Sequence, residues 1–140
     1  MITSLKSLLL IEDRPDEALF ITRRLRSAIT EMHGIQPEIV WVDSLTQAFG
    51  VAKAARFDAC LLDLCLGNHE WQATVSGIPA LSALCPVVCM TAFLDAQEAC
   101  RVTLAAGAQD FISKERLHRY PEHGVEMLCK AVLRAGAANP

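Results

Sequence analysis

The chain has 140 residues, with 52% of them apolar, 13 basic against 16 acidic side chains and a mean hydropathy of +0.28. That length and composition predict one domain with a real core, residues 1–140 with the packed part about 6–135, and argue against disorder. No apolar run approaches the roughly 20 residues of a bilayer span. The leading run Leu8–Ile11 is too short for a signal-peptide core, and a net charge of −3 spread along the chain gives no support to nucleic-acid binding.

Strand one is expected over Ser7–Glu12, Leu-rich and ending in acid. A helix follows over Asp16–Ile29, with Ala18, Ile21, Leu25 and Ile29 on one face, Pro15 near its start, and Gly34 and Pro37 after it. Glu38–Val42 reads as a second strand in which Trp41 is a packing residue. Ser44 with Gln47 forms a capping-box pattern and opens a helix to about Ala55. Asp58–Asp63 is strand three, a run buried on both faces. Gly67–Ala83 has no clean periodicity; a loop and then a short helix beginning near Pro79 are expected. Val87–Met90 is strand four, closing on Thr91. Asp95 and Glu98 start another helix that Gly107 ends. Gln109–Ser113 is strand five, with Lys114 at its end. A last helix begins at Pro121, and its tail after Ala135 is expected to fray.

Six cysteines (Cys60, Cys65, Cys85, Cys89, Cys100, Cys129) make no Cys-x-x-Cys pair and have no nearby His set, so they read as small core residues in a reducing compartment rather than a zinc site. His69, His118 and His123 are expected in solvated loops or at a helix start, and Trp71 as a loop residue without an assigned role.

Alternating strands and helices without an internal repeat predict an α/β fold: one parallel five-stranded sheet with about five helices on its two faces. In such a sheet the carboxyl ends of strands one, three, four and five share an edge, where ligands bind. Glu12, Asp13, Asp63, Thr91 and Lys114 therefore converge. Gathered carboxylates repel unless a cation neutralises them. Mg2+ (or Mn2+) suits oxygen ligands and uses one or two carboxylates together with substrate phosphate. Asp13 and Asp63 are expected as direct ligands, Glu12 directly or through water, and the Cys65 backbone carbonyl as a further one. One carboxylate could then attack a phosphoryl group to form an acyl phosphate, with Lys114 and the Thr91 hydroxyl stabilising its oxygens.

Ile11-Glu12-Asp13, Leu62-Asp63-Leu64, Met90-Thr91-Ala92 and Ala106–Lys114 together resemble the signature of response-regulator receiver domains. The resemblance spans nearly the whole chain. It implies a flavodoxin-like sheet of strand order 2-1-3-4-5. It also implies that Asp63 accepts phosphate from a sensor histidine kinase or a histidine phosphotransfer protein. Glu12 and Asp13 would hold Mg2+, with Thr91 contacting and Lys114 pairing with the phosphoryl group. Phe111 matches the family's aromatic switch residue, expected to follow Thr91 inward and alter the face of the fourth helix, fifth strand and fifth helix for a downstream protein target. The chain would then be no enzyme beyond promoting its own phosphotransfer and autodephosphorylation, cytoplasmic, without membrane or nucleic-acid contact, and able to form a homodimer.

Three departures stand out against the family pattern. Glu115 follows Lys114 where Pro is usual, Gly67 replaces the usual Pro four residues after Asp63, and Trp71 replaces a Gly. Cys65, Ala92 and Phe93 flank the phosphoryl position, and Cys65 and Phe93 are expected to hinder an attacking water and prolong the phosphorylated state. With no output domain after the last helix, a complete chain would signal by protein contact. Two other classes of function compete. A phosphorylation-independent adaptor is disfavoured by the intact Glu12, Asp13, Asp63, Thr91 and Lys114. An Asp-nucleophile phosphatase of the haloacid-dehalogenase type wants an Asp where Cys65 stands.

Overall fold

The computed structural model describes residues 5–67, 70–92 and 96–138. Five parallel strands, β1 (Ser7–Ile11), β2 (Glu38–Val42), β3 (Ala59–Asp63), β4 (Val87–Thr91) and β5 (Asp110–Ser113), lie in the order β2-β1-β3-β4-β5. This is the flavodoxin-like arrangement, and the expected strands fall within a residue of those observed. Strand β1 ends at Ile11 rather than Glu12, although the Glu12 N–H still donates to the Val42 carbonyl at 3.1 Å.

Every residue of β3 and β4 is buried. Period-two alternation splits the central strands between two cores. Leu8 and Leu10 of β1 and Leu61 of β3 face a cluster with Ile21, Leu25, Ile29, Val125 and Leu128. Leu9, Ile11, Cys60 and Leu62 face the other, with Ile78, Leu81, Cys89 and Ala99. Cys60, Cys85 and Cys89 are core residues as expected, whereas Cys65, Cys100 and Cys129 are half-buried, and all six are free thiols.

Helix α1 (Pro15–His33) runs a turn beyond the expected Ile29, through Thr30–His33, an exposed turn in which Met32 is the one apolar residue before Gly34. Gly34 takes φ +68° and returns its N–H to the Thr30 carbonyl at 2.8 Å. Helix α2 (Leu45–Ala54) is capped by Ser44, whose hydroxyl accepts from the Gln47 N–H at 3.2 Å. The Gln47 amide oxygen reaches back to the N–H of Asp43, at 3.1 Å, one residue earlier than a capping box requires.

The unreadable stretch contains two short helices, α3 (Trp71–Val75) and α4 (Ile78–Ser82), the second of which has Pro79 at its start. Helix α5 (Ala96–Ala106) ends in a Schellman turn: the Gly107 N–H donates to the Leu104 carbonyl and the Ala108 N–H to the Thr103 carbonyl, both at 3.1 Å. Its expected Asp95 cap lies outside the described residues.

Directly after β5 stands a helix the periodicity did not reveal, α6 (Lys114–Arg119), capped by the Ser113 hydroxyl on the Arg116 N–H at 3.1 Å. Leu117 is its buried apolar anchor, and its remaining residues are charged or polar, which leaves nothing periodic to read. Helix α7 (Pro121–Ala138) packs against α1 and continues past Ala135, where a frayed tail was expected. Among the described residues no helix is long and apolar enough to cross a membrane.

Candidate functional site

Four backbone ends meet at the carboxyl edge of the sheet. Because Ile11 pairs with Leu62 and Asp63 with Met90, the acids that follow β1 and close β3 emerge side by side. Ligand atoms of Glu12, Asp13 and Asp63 all lie within 4.8 Å of one another. Glu12 and Asp63 are buried, at 0% and 1% exposed, and Lys114 closes the group at 8%. The Lys114 ammonium donates to Glu12 Oε1 at 2.6 Å and to Asp63 Oδ2 at 3.0 Å. The other oxygens are held by backbone: Cys65 N–H on Asp63 Oδ1 at 3.0 Å, Arg14 N–H on Glu12 Oε2 at 3.2 Å, and Gly67 N–H on Asp13 Oδ2 at 2.8 Å. Asp13 Oδ1 is buried and has no hydrogen-bond partner within the protein.

Three carboxylates against one ammonium leave excess negative charge in a low-dielectric pocket. Burial is the main reason that the Glu12 carboxyl rises to about 7, with the nearby Asp63 carboxylate adding to it and Lys114 opposing. Burial alone would lower Lys114, but its bond to Glu12 and the charges of Asp63 and Glu12 outweigh that and raise it. The site therefore favours a cation. An orphaned buried carboxylate oxygen beside two others, all oxygen donors, is the donor set that a hard divalent ion takes.

Thr91 is fully buried at the end of β4, with its hydroxyl 4.0 Å from the Cys65 sulfur. Ala92 is exposed just beyond it, and Phe93 lies outside the described residues. Burial and the Asp63 charge push the Cys65 thiol up, which keeps it neutral. Phe111 sits on β5 opposite Cys89, half-buried against the core on the α2–α5 side.

The sequence model of the response-regulator receiver domain matches residues 8–119, which is most of the chain. The chain belongs to the receiver-domain family. Solved structures similar to it include a two-component response regulator from Clostridium difficile, at 21% identity over 92% of this chain and 96% of that one, with a TM-score of 0.67. A sensor protein from Polaromonas shares 18% identity over 94% and 98%, at a TM-score of 0.71. The receiver domain of a sensor histidine kinase from Pseudomonas aeruginosa, with a magnesium ion coordinated in its active-site cleft, shares 25% identity over 92% and 98%, at 0.68. No curated protein matches the chain in sequence. As a receiver it is a signalling module of a two-component system rather than a catalytic enzyme, and its acidic cluster is consistent with a Mg2+-binding phosphoacceptor site.

The departures of this receiver now have structural consequences. Gly67 adopts φ +65°, a conformation that side chains rarely take, and so its N–H reaches Asp13. A proline there would have no N–H to give. With Glu115 in place of Pro, Lys114 begins helix α6. That helix brings in two residues the sequence did not single out for the site. Glu17 Oε1 lies 3.7 Å from the Lys114 ammonium and 2.9 Å from His118 Nε2. His118, one helical turn from Lys114, packs edge-on against Phe20 with ring centroids 4.8 Å apart. Its carbonyl accepts from Arg24 at 2.6 Å, so it is not a solvated loop residue. The spacing Lys114–His118 was the available signal, legible only once that segment is helical. Trp41 is a second correction: rather than being packed away it is 43% exposed, and its indole N–H donates to the Glu12 carbonyl at 2.6 Å.

Proposed function

We propose that Asp63 is the phosphoacceptor of this receiver, taking a phosphoryl group from a phosphohistidine on a sensor histidine kinase or a histidine phosphotransfer protein. The observation that carries this reading is the convergence of Glu12, Asp13 and Asp63 within 4.8 Å, with Lys114 bonded between two of them. Glu12, Asp13 and Asp63, with the Cys65 carbonyl, would hold Mg2+ (or Mn2+), which when bound supplies positive charge against the phosphoryl oxygens. Asp63 Oδ forms the new O–P bond as the donor's N–P bond breaks, and the electron pair returns to the imidazole nitrogen. Lys114 offers its ammonium and Thr91 its hydroxyl to the equatorial oxygens, and Ala92 its N–H. Thr91 then couples the phosphoryl group to Phe111, and the face formed by α5, β5 and α7 changes for a downstream protein. Cys65, neutral and half-buried beside Asp63, slows attack by water on the acyl phosphate. Such exchange with a histidine kinase places the chain in the cytoplasm.

Intact mass after incubation with acetyl phosphate tests the reading, with and without Mg2+ and alongside Asp63→Asn. The expected result is one Mg2+-dependent phosphoryl adduct that the substitution abolishes. An unmodified mass under every condition overturns it and leaves an adaptor that works without phosphate.

A further inference from the structure

The backbone between the two acids leaves the sheet just after β1, where the strand ladder can no longer hold it. The side chain of Glu12 is fixed from two directions, by Lys114 and by the Arg14 N–H. Its N–H is fixed by the Val42 carbonyl. Its carbonyl oxygen has a different kind of partner, the indole N–H of Trp41 at 2.6 Å, reaching across from edge strand β2. Alternation along β2 puts Ile39 in contact with the core on the α1 side and Val40 and Val42 in contact with the other. Trp41 therefore lies on the α1 side of the sheet, over the point where the chain turns from β1 into α1.

A ring left 43% exposed contributes little to the core, yet its single polar atom makes a short bond to the one peptide that links the acids. A peptide is planar, so pinning the Glu12 carbonyl also sets the orientation of the Asp13 N–H and with it the direction in which the Asp13 side chain leaves. Pinned at both its N–H and its carbonyl, Glu12 can present Glu12 and Asp13 oxygens together toward Asp63. Without the indole, water competes for that carbonyl and the peptide gains freedom to rock.

We propose that Trp41 is a positioning residue for the metal-binding acids, its indole N–H holding the Glu12–Asp13 peptide in the orientation that lets the three carboxylates share one cation. This rests on the reading of the acidic cluster as a Mg2+ site. The measurement is Mg2+ affinity by calorimetric titration of the full chain, comparing the natural protein with Trp41→Phe, which keeps a ring on the strand but removes the N–H. The expected result is a dissociation constant raised by about threefold to tenfold, the loss of one hydrogen bond's contribution, with an unchanged far-UV circular dichroism spectrum. Equal affinities in a folded variant overturn the proposal. Absence of Mg2+ binding by the natural protein instead overturns the reading on which it rests. Should Trp41→Phe fail to fold, the natural protein decides through the Trp41 indole N–H resonance, assigned by its survival in Trp71→Phe. Slower hydrogen exchange at that resonance on adding Mg2+ supports the role, and fast exchange unaffected by the ion overturns it.

Discussion

The two ends of the buried ion-pair network are built in different ways. Glu12 and Asp63 sit at the ends of central strands, and the sheet register alone brings them together: Ile11 pairs with Leu62, so the residues that follow must emerge as neighbours. Lys114 reaches the same point from strand β5 at the sheet edge, and from there a six-residue helix takes over its support. That helix is too short to persist on its own. It is held by Leu117 in the core, by the Ser113 cap, and by contacts of His118 with Glu17, Phe20 and Arg24 on α1. The acids are thus placed by backbone pairing, and the lysine by side chains. Damage should spread differently from the two sides.

The largest effect is expected in the strands. Leu61→Ala opens a cavity beneath β3 and should cost about 2–5 kcal/mol in urea unfolding, while folded molecules keep normal phosphorylation because the backbone ladder still aligns Asp63. A large change in phosphorylation rate per folded molecule would show that packing, not register, positions the acid.

An intermediate effect concerns protons at Glu12. The folded group holds its proton to about pH 7, whereas the ordinary carboxyl gives it up near 4.5. Between those values the metal-free folded state binds more protons than the unfolded chain, so stability contributed by this group is full below 4.5 and is lost as pH rises through about 7. Mg2+ must displace that proton. Its apparent affinity should therefore increase with pH up to about 7 and then level off, changing by at most about tenfold per pH unit for one displaced proton. Calorimetric titrations between pH 5.5 and 8.5, on the order of six points, would show this slope. A flat profile would mean that the ion displaces no proton from Glu12.

The smallest effect is on the lysine side. Ser113→Ala removes the cap of α6 and should cost about 0.5–2 kcal/mol. Because Lys114 is the first residue of that helix, acetyl-phosphate labelling should slow even at saturating Mg2+. Loss of stability with an unchanged labelling rate would show that β5, not α6, holds the lysine in place.

How much was legible follows the same division. The site acids, Thr91 and Lys114 each close an apolar run, so a strand count and one topological rule were enough to gather them. Trp41, Glu17 and His118 carry no such mark. A tryptophan on a strand reads as packing, because nothing in a linear pattern shows that its nitrogen finds a carbonyl across the strand pair. Gly67 was visible as a departure, but its use came only with the conformation that turns its N–H toward Asp13.

By itself the sequence determined the sheet, its two buried faces and the cluster of acids at its edge, since hydrophobic periodicity and chain connectivity leave few ways to bury so many apolar residues. Only the tertiary structure decided the helix that begins at Lys114, the tether from Trp41 to the acid peptide, and the third carboxylate near the lysine. These depend on single side-chain contacts between segments distant in the chain. Such contacts form after the fold exists and leave no periodic trace in the order of residues.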